Sequence, residues 1–178
     1  MVLFVGQSLS NRRKGAWLLP EVFQNLAGIR GFHLLSVGET SKTVFPVQYT
    51  SLGTLTHEGM LSLAYNAADL LVMPSLLDNL PCTVMESLAC GTPVVAFDVG
   101  GVGDLVKDGR NGRLVRVGDT EVLADAIRNV LQDDRKREGM GKYARKDAEE
   151  RFSPEKQAGR YMDIAQSMIV SRARDAHV

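Results

Sequence analysis

Met73-Pro74-Ser75-Leu76-Leu77-Asp78-Asn79-Leu80-Pro81-Cys82-Thr83-Val84-Met85-Glu86-Ser87-Leu88-Ala89-Cys90-Gly91-Thr92-Pro93-Val94-Val95-Ala96-Phe97 reads as strand, loop, short helix and strand. The run from Asp69 to Met73 is apolar after its first residue, short enough for a strand buried on both faces, and Pro93 to Phe97 is a second such run. Two buried runs joined by a helix of one or two turns make a tight parallel crossover. The loop between them then lies at the carboxyl edge of a parallel sheet, where open α/β folds hold their ligands. That loop carries Asp78, and the helix after it carries Glu86.

Thr83 followed three residues later by Glu86 fits a capping box, with Thr83 as N-cap. The helix would open on free backbone N–H groups and a partial positive charge, which suits an anion. The dipole contributes roughly 0.3–1 kcal/mol when exposed and up to about 2 when partly buried, so it assists a phosphate without holding it alone. On this pattern alone, Glu86 serves a ligand or merely caps its own helix.

Composition narrows the field. At 178 residues the chain is one domain of ordinary size with ample apolar content for a core. A net charge of zero argues against a nucleic-acid or anionic-membrane partner, and Arg12-Arg13-Lys14 is too small a basic cluster to change that. No apolar run approaches the roughly 18 residues of a membrane span, and no signal peptide precedes the first strand. Cys82 and Cys90 stand about two helical turns apart, too far for a disulfide, and neither has metal-ligand spacing. A reducing, cytoplasmic setting is the default. The first strand begins at the second residue, which suggests a piece of something longer.

Outward from the central stretch, strands and helices alternate. Val2 to Val5 reads as a strand ending in a glycine turn at Gly6, followed by a polar loop from Gln7 to Lys14. Gly15 opens a helix faced by Leu19, Val22, Phe23 and Leu26, which Pro20 should kink or restart. His33 to Val37 and Val47 to Leu52 are further strands; Thr56 is the expected N-cap of a helix striped by Met60, Leu61, Ala64 and Ala67. After Phe97 comes a glycine-rich loop from Asp98 to Asp104, where backbone can approach a ligand closely. Asp108 to Gly112 is turn chemistry leading into a strand from Arg113 to Val117. Val122, Leu123, Ala126, Ile127, Val130 and Leu131 stripe the next helix, and Asp133 to Arg151 reads as a charged helix with a thin apolar seam. Ser153-Pro154 starts the closing helix, with Tyr161, Ala165 and Met168 on one face and fraying from about Ser171. The alternation predicts an α/β fold, a doubly wound parallel sheet of Rossmann-like type.

Five loops fall at carboxyl ends of strands: Gly6 to Gly15, Gly38 to Thr43, Gly53 to Thr56, Pro74 to Cys82, and Asp98 to Asp104. An anion between Lys14 and the amino end of the helix after Pro81 would meet a mobile cation and oriented N–H groups, and a diphosphate fits that description. A dinucleotide fingerprint fails because no glycine stands between Gly6 and Gly15. A P-loop fails because Lys14 precedes its glycine, no Asp-x-Asp pair exists to hold a divalent ion, and no glycine-flanked nucleophile elbow is present.

Phe4-Val5-Gly6, Lys14-Gly15, Gly53, the helix at Thr56, Pro74-Ser75 through Asp78 to Glu86-Ser87, Gly91-Thr92-Pro93-Val94-Val95, Val99-Gly100-Gly101 and Asp108-Gly109-Arg110-Asn111-Gly112 together form a pattern. It resembles the carboxyl-terminal, donor-binding half of GT-B glycosyltransferases of the group 1, or family 4, type, from about Val2 to Val170. The resemblance implies transfer of a sugar from a UDP-, GDP- or ADP-sugar to an acceptor with retained configuration, with no metal and no cofactor beyond the donor itself. By position, Glu86 would bond the ribose hydroxyls, and Asp78 would orient the donor sugar together with the neighbouring Asn79 and Leu80. The N–H groups of Cys82 and Thr83 would hold the diphosphate while Lys14 neutralises the charge that grows as it leaves, which is electrostatic stabilisation and not proton chemistry. Gly6 would let phosphate approach, and Leu55 would lie against the base.

The pattern departs from the family in three places. Asp78 stands where Glu is usual, Gln7 stands where an arginine often follows the first glycine, and Asp104 replaces a common Glu in a structural position. Arg13, or Arg12, is the candidate substitute for the arginine absent at Gln7. Residues 1–170 would then form one nucleotide-sugar-binding domain and 171–178 a frayed tail. The acceptor sugar or lipid would reach it through an amino-terminal half absent from this chain, which would also carry any peripheral membrane contact. The alternative is a non-catalytic nucleotide or nucleotide-sugar-binding module acting with a separate partner chain. His33 reads as a core or sheet-edge residue, His57 as a helix-start residue near the cleft, and Trp17 as packing.

Overall fold

Six parallel strands in the order β3-β2-β1-β4-β5-β6 form the centre of the computed structural model, which describes residues 1–8, 11–39 and 44–175. In chain order these are β1 (Val2–Ser8), β2 (Leu34–Glu39), β3 (Tyr49–Ser51), β4 (Leu70–Met73), β5 (Val94–Phe97) and β6 (Gly112–Val115). The helices are α1 (Leu19–Gln24), α2 (Glu58–Ala67), α3 (Cys82–Ala89), α4 (Val102–Leu105), α5 (Thr120–Gln132), α6 (Asp134–Arg151) and α7 (Pro154–Asp175). Every residue of β4 and β5 is buried, as continuous apolar strands between two helical layers must be. Right-handed crossovers put α1 on one face and α2 with α3 on the other. Accordingly α5 packs against α1, and α6 packs against α3.

The chain direction across the sheet reverses between β1 and β4, which are neighbours. Loops leaving two such strands part in opposite directions and leave a crevice at their carboxyl ends. Lys14 follows β1 and Asp78 follows β4, so both candidate catalytic side chains come from the two loops that bound this crevice.

Several local expectations are corrected. β1 runs through Gly6, which is not a turn; a Cβ there would lie 2.8 Å from the tip of the Phe4 ring, so a side chain at this position would push that ring aside. Gly15 opens only a 3-10 turn, Ala16–Leu18, after another at Arg12–Lys14, and the α-helix proper restarts at Leu19 with Pro20 in its first turn, as the proline signals. The N-cap of α2 is His57, whose Nδ1 accepts from the Gly59 N–H at 3.1 Å, and not Thr56. Its buried face is Ala64 and Tyr65 while Met60 is exposed. Val122 is exposed on α5, where Leu123, Ala124, Ala126, Ile127 and Val130 are buried.

The carboxyl-terminal half follows its sequence signals closely. Asp133 caps α6 through the Lys136 N–H, and Met140, Ala144 and Ala148 form its apolar seam. Ser153 Oγ accepts from the Lys156 N–H at the start of α7, and that helix continues to Asp175, past Ser171. Tyr161, Ala165 and Met168 are all exposed. Asn111 is fully buried: Lys107 N–H donates to its Oδ1 at 2.7 Å, and its Nδ2 donates to the Leu105 carbonyl at 3.1 Å. Residues 40–43 of the expected Gly38 to Thr43 loop, residues 9 and 10 of the loop before Lys14, and 176–178 of the tail lie outside the described residues, as does the side chain of Gln7. Among the described residues no helix is long and apolar enough to cross a membrane.

Candidate functional site

The two crevice loops are locked to each other by backbone. Gly15, at φ +66, sits so close to Pro74 that a Cβ would fall 1.8 Å from the Pro74 carbonyl oxygen. Beside it the Leu76 N–H donates to the Arg13 carbonyl at 2.8 Å. The geometry sets the Lys14 ammonium 2.6 Å from Asp78 Oδ2, an ion pair between the two residues expected to do the chemistry. Asp78 is only 9% exposed, while the Lys14 side chain keeps 30%, so the lysine is the member with room to move.

A second clamp holds the Asp78 loop from the other side. The Gly101 N–H donates to the Asn79 carbonyl at 2.6 Å, and a Cβ on Gly100 would fall 1.9 Å from the Asp78 carbonyl oxygen. The close approach expected of the glycine-rich loop is thus made to the Asp78 loop itself. Asn79 and Leu80 point outward and are exposed.

The capping expectation at Thr83 is overturned. α3 starts two residues earlier, with Pro81 as N-cap, and no side chain caps it. The Pro81 carbonyl takes the Val84 and Met85 N–H groups. The Cys82 and Thr83 N–H groups, at the first two helical positions, have no acceptor among the described residues and stand at the crevice. Glu86 is therefore not used as a cap. Its Oε2 accepts a 2.7 Å hydrogen bond from the hydroxyl of Tyr65, a residue absent from the expected stripe of α2. Tyr65 is 1% exposed, and burial together with the Glu86 carboxylate pushes its phenol far above the ordinary tyrosine range. Spacing gives no sign of this contact, which spans 21 residues and joins two helices.

The remaining candidates divide. The Arg12 guanidinium lies 5.9 Å over the Trp17 ring and is engaged there; Arg13 contributes its carbonyl to the loop lock and leaves its exposed side chain without a partner among the described residues. Leu55 is half-buried against the core. Gly6 lies in β1 beneath the crevice. His57 is spent on capping, and His33 meets Thr50 Oγ1 at 2.9 Å at the sheet edge. A groove of about 640 Å³ between Asp69, Pro93 and α6 lies at the amino ends of β4 and β5, away from these groups.

Residues 1–133 match the family model described as glycosyl transferases group 1. A D-inositol 3-phosphate glycosyltransferase of Paenarthrobacter aurescens is 41% identical over 85 residues, which is 48% of this chain and 21% of that protein. Among solved structures, sucrose-phosphate synthase from Thermosynechococcus elongatus superposes with a TM-score of 0.79 at 27% identity, over 96% of this chain and 46% of that one. Anabaena HepE in complex with UDP superposes equally, at 0.79 and 22% identity, over 93% and 48% of the two chains. The chain spans a fifth of the curated relative and just under half of each of these structures. Its sheet and helices are those of one half of a GT-B fold.

Proposed function

The chain belongs to the group 1 glycosyl transferase family, and on that premise we propose that it is the donor-binding half of a retaining glycosyltransferase. It takes a nucleotide-sugar and presents the sugar to an acceptor held by a second, amino-terminal half. The observation that carries this reading is the Lys14–Asp78 ion pair across the crevice, beside the open amino end of α3.

The donor diphosphate docks on the Cys82 and Thr83 N–H groups, where the helix end favours an anion. Lys14 turns from Asp78 to the diphosphate, a doubly charged partner within reach of the same flexible stem. Asp78, released, accepts from hydroxyls of the donor sugar, and Glu86 accepts from the ribose. As the bond from the anomeric carbon to the diphosphate oxygen breaks, the electron pair leaves with the diphosphate. Lys14 and the two amides stabilise that growing charge more than they stabilise the intact donor. The acceptor oxygen bonds the anomeric carbon on the face the diphosphate leaves, and its proton passes to the departing phosphate. Side chains and helix amides meet the charge, so the reading calls for neither a metal nor a cofactor.

Tyr161, Met162, Ile164 and Ile169 form an exposed apolar series on α7, which supports contact between this helix and the acceptor half. HepE holds UDP, which makes UDP the first nucleotide to try.

Calorimetry of the chain with UDP, GDP and ADP tests the reading. One of the three is expected to bind, and Glu86→Ala should bind it at least about tenfold more weakly, since a hydrogen bond to a charged group contributes about 1.5–3 kcal/mol. Equal affinity in the two proteins removes Glu86 from the site.

A further inference from the structure

Glu86 is exposed on α3, and an exposed glutamate ordinarily samples several rotamers. This one is tied down from below. Tyr65 reaches up from α2 and donates to Oε2 at 2.7 Å, while Oε1 has no partner among the described residues. We propose that Tyr65 is a positioning residue, fixing the Glu86 carboxylate so that its second oxygen is held ready for the ribose of the donor. The proposal rests on Glu86 meeting the ribose.

Tyr65 is itself held at both ends. Its carbonyl accepts from Thr92 Oγ1 at 2.8 Å and from the Ala68 N–H at 3.1 Å. The Thr92 carbonyl in turn accepts from Ser87 Oγ at 2.9 Å, on the same helix as Glu86. Thr92 and Ser87 are both buried, so α2 and α3 are stitched together by polar contacts that water does not reach. Between the helices is a groove of about 320 Å³ lined by Leu61, Ser62, Tyr65, Glu86, Ala89 and Cys90. A Phe at position 65 would fill the same space, so packing alone does not account for the hydroxyl.

The polarity of the bond matters as much as its position. Burial and the neighbouring carboxylate keep the proton on Tyr65, so the phenol donates and Glu86 accepts. The remaining carboxylate oxygen is then an acceptor only. A ribose diol offers the two donors that suit it, and a 2′,3′-dideoxyribose offers none. The hydroxyl thus acts on donor recognition at one remove, by removing the entropy cost of fixing the Glu86 rotamer at binding.

The test uses whichever of UDP, GDP and ADP binds most tightly, with its 2′,3′-dideoxy counterpart, in calorimetric titrations of wild type, Tyr65→Phe, Glu86→Ala and the double variant. Tyr65→Phe is expected to weaken the ribonucleotide about 3- to 10-fold, the order of the ordering cost of one rotamer-rich side chain at binding. It should leave the dideoxy affinity unchanged and have no further effect in the Glu86→Ala background. Equal weakening of both nucleotides would assign Tyr65 to packing alone, and an unchanged ribose preference would show that Glu86 holds its place unaided. Either result overturns the proposal. A ribose preference that survives Glu86→Ala overturns the reading beneath it instead, and that outcome is read from a variant in which Tyr65 is intact.

Discussion

Gly100→Ala is the sharpest perturbation of the Asp78 loop, because it adds one methyl group and changes no charge. Gly100 lies at φ +49, and its ideal Cβ falls 1.9 Å from the Asp78 carbonyl oxygen. The left-handed backbone alone costs an alanine roughly 1–2 kcal/mol. To reach an ordinary carbon–oxygen contact of about 3.3 Å, the carbonyl must retreat by about 1.4 Å. That retreat strains the neighbouring Gly101 N–H to Asn79 bond, 2.6 Å long in the native loop. A backbone hydrogen bond contributes about 0.5–1.5 kcal/mol, so the total loss is roughly 1.5–3.5 kcal/mol. Gly109→Ala is the matched control: its φ is +75 and nothing stands within 4 Å of the added Cβ. It should lose only about 1–2 kcal/mol. Urea unfolding of the two variants reads the difference, and calorimetry with the nucleoside diphosphate reads its consequence at Pro81 and the amino end of α3. Gly100→Ala should weaken nucleotide binding and Gly109→Ala should not. If the two variants lose equal stability and keep equal affinity, Gly100 does not clamp the Asp78 loop and the reasoning is refuted.

Lys14→Ala leaves Asp78 almost buried without its cation and should cost about 1–2 kcal/mol, less than the 3–5 of a fully buried pair because water reaches the lysine. Adding Asp78→Asn should recover most of that loss in urea unfolding, whereas additive losses would mean the two side chains do not interact. Asn111→Ala strips partners from the Lys107 N–H and the Leu105 carbonyl inside a closed turn, for an expected loss of roughly 2–4 kcal/mol in the same assay; under about 0.5 would show that the turn closes without it. Tyr65 has a raised folded pKa, so above about pH 10, where an unfolded tyrosine ionises, the unfolded state binds fewer protons and stability falls as pH rises. Wild type should lose stability in that window more steeply than Tyr65→Phe, by about 1.4 kcal/mol per pH unit, and parallel curves would contradict the assignment.

The sheet was legible because β4 and β5 are continuous apolar runs with no alternative burial, and the order of elements leaves a doubly wound sheet as the natural packing. Asp133 and the Ser153-Pro154 pair mark helix starts through contacts made within their own turn, which is why those boundaries read correctly. Thr83 misled for the opposite reason. Asn79 is pinned by Gly101, so the chain enters α3 at Pro81, and Glu86 is claimed by a tyrosine on another helix. A capping box is a local rule, and here two long-range contacts outweigh it. The glycines at 100 and 101 looked suited to a ligand and in fact meet backbone of the Asp78 loop, as Gly15 does, a partner that only the tertiary fold supplies. The acids at 78 and 86 were visible as a pair in the sequence, while the lysine bound to one and the tyrosine bound to the other required the structure.

A crystal structure of the chain with a bound nucleoside diphosphate would show whether the crevice between the β1 and β4 loops is the donor site. The diphosphate is expected within hydrogen-bonding distance of the Cys82 and Thr83 amides, with the Lys14 ammonium turned onto it from Asp78 and the ribose on Glu86. A nucleotide seated at another face, or a diphosphate out of reach of a Lys14 still paired to Asp78, would contradict it.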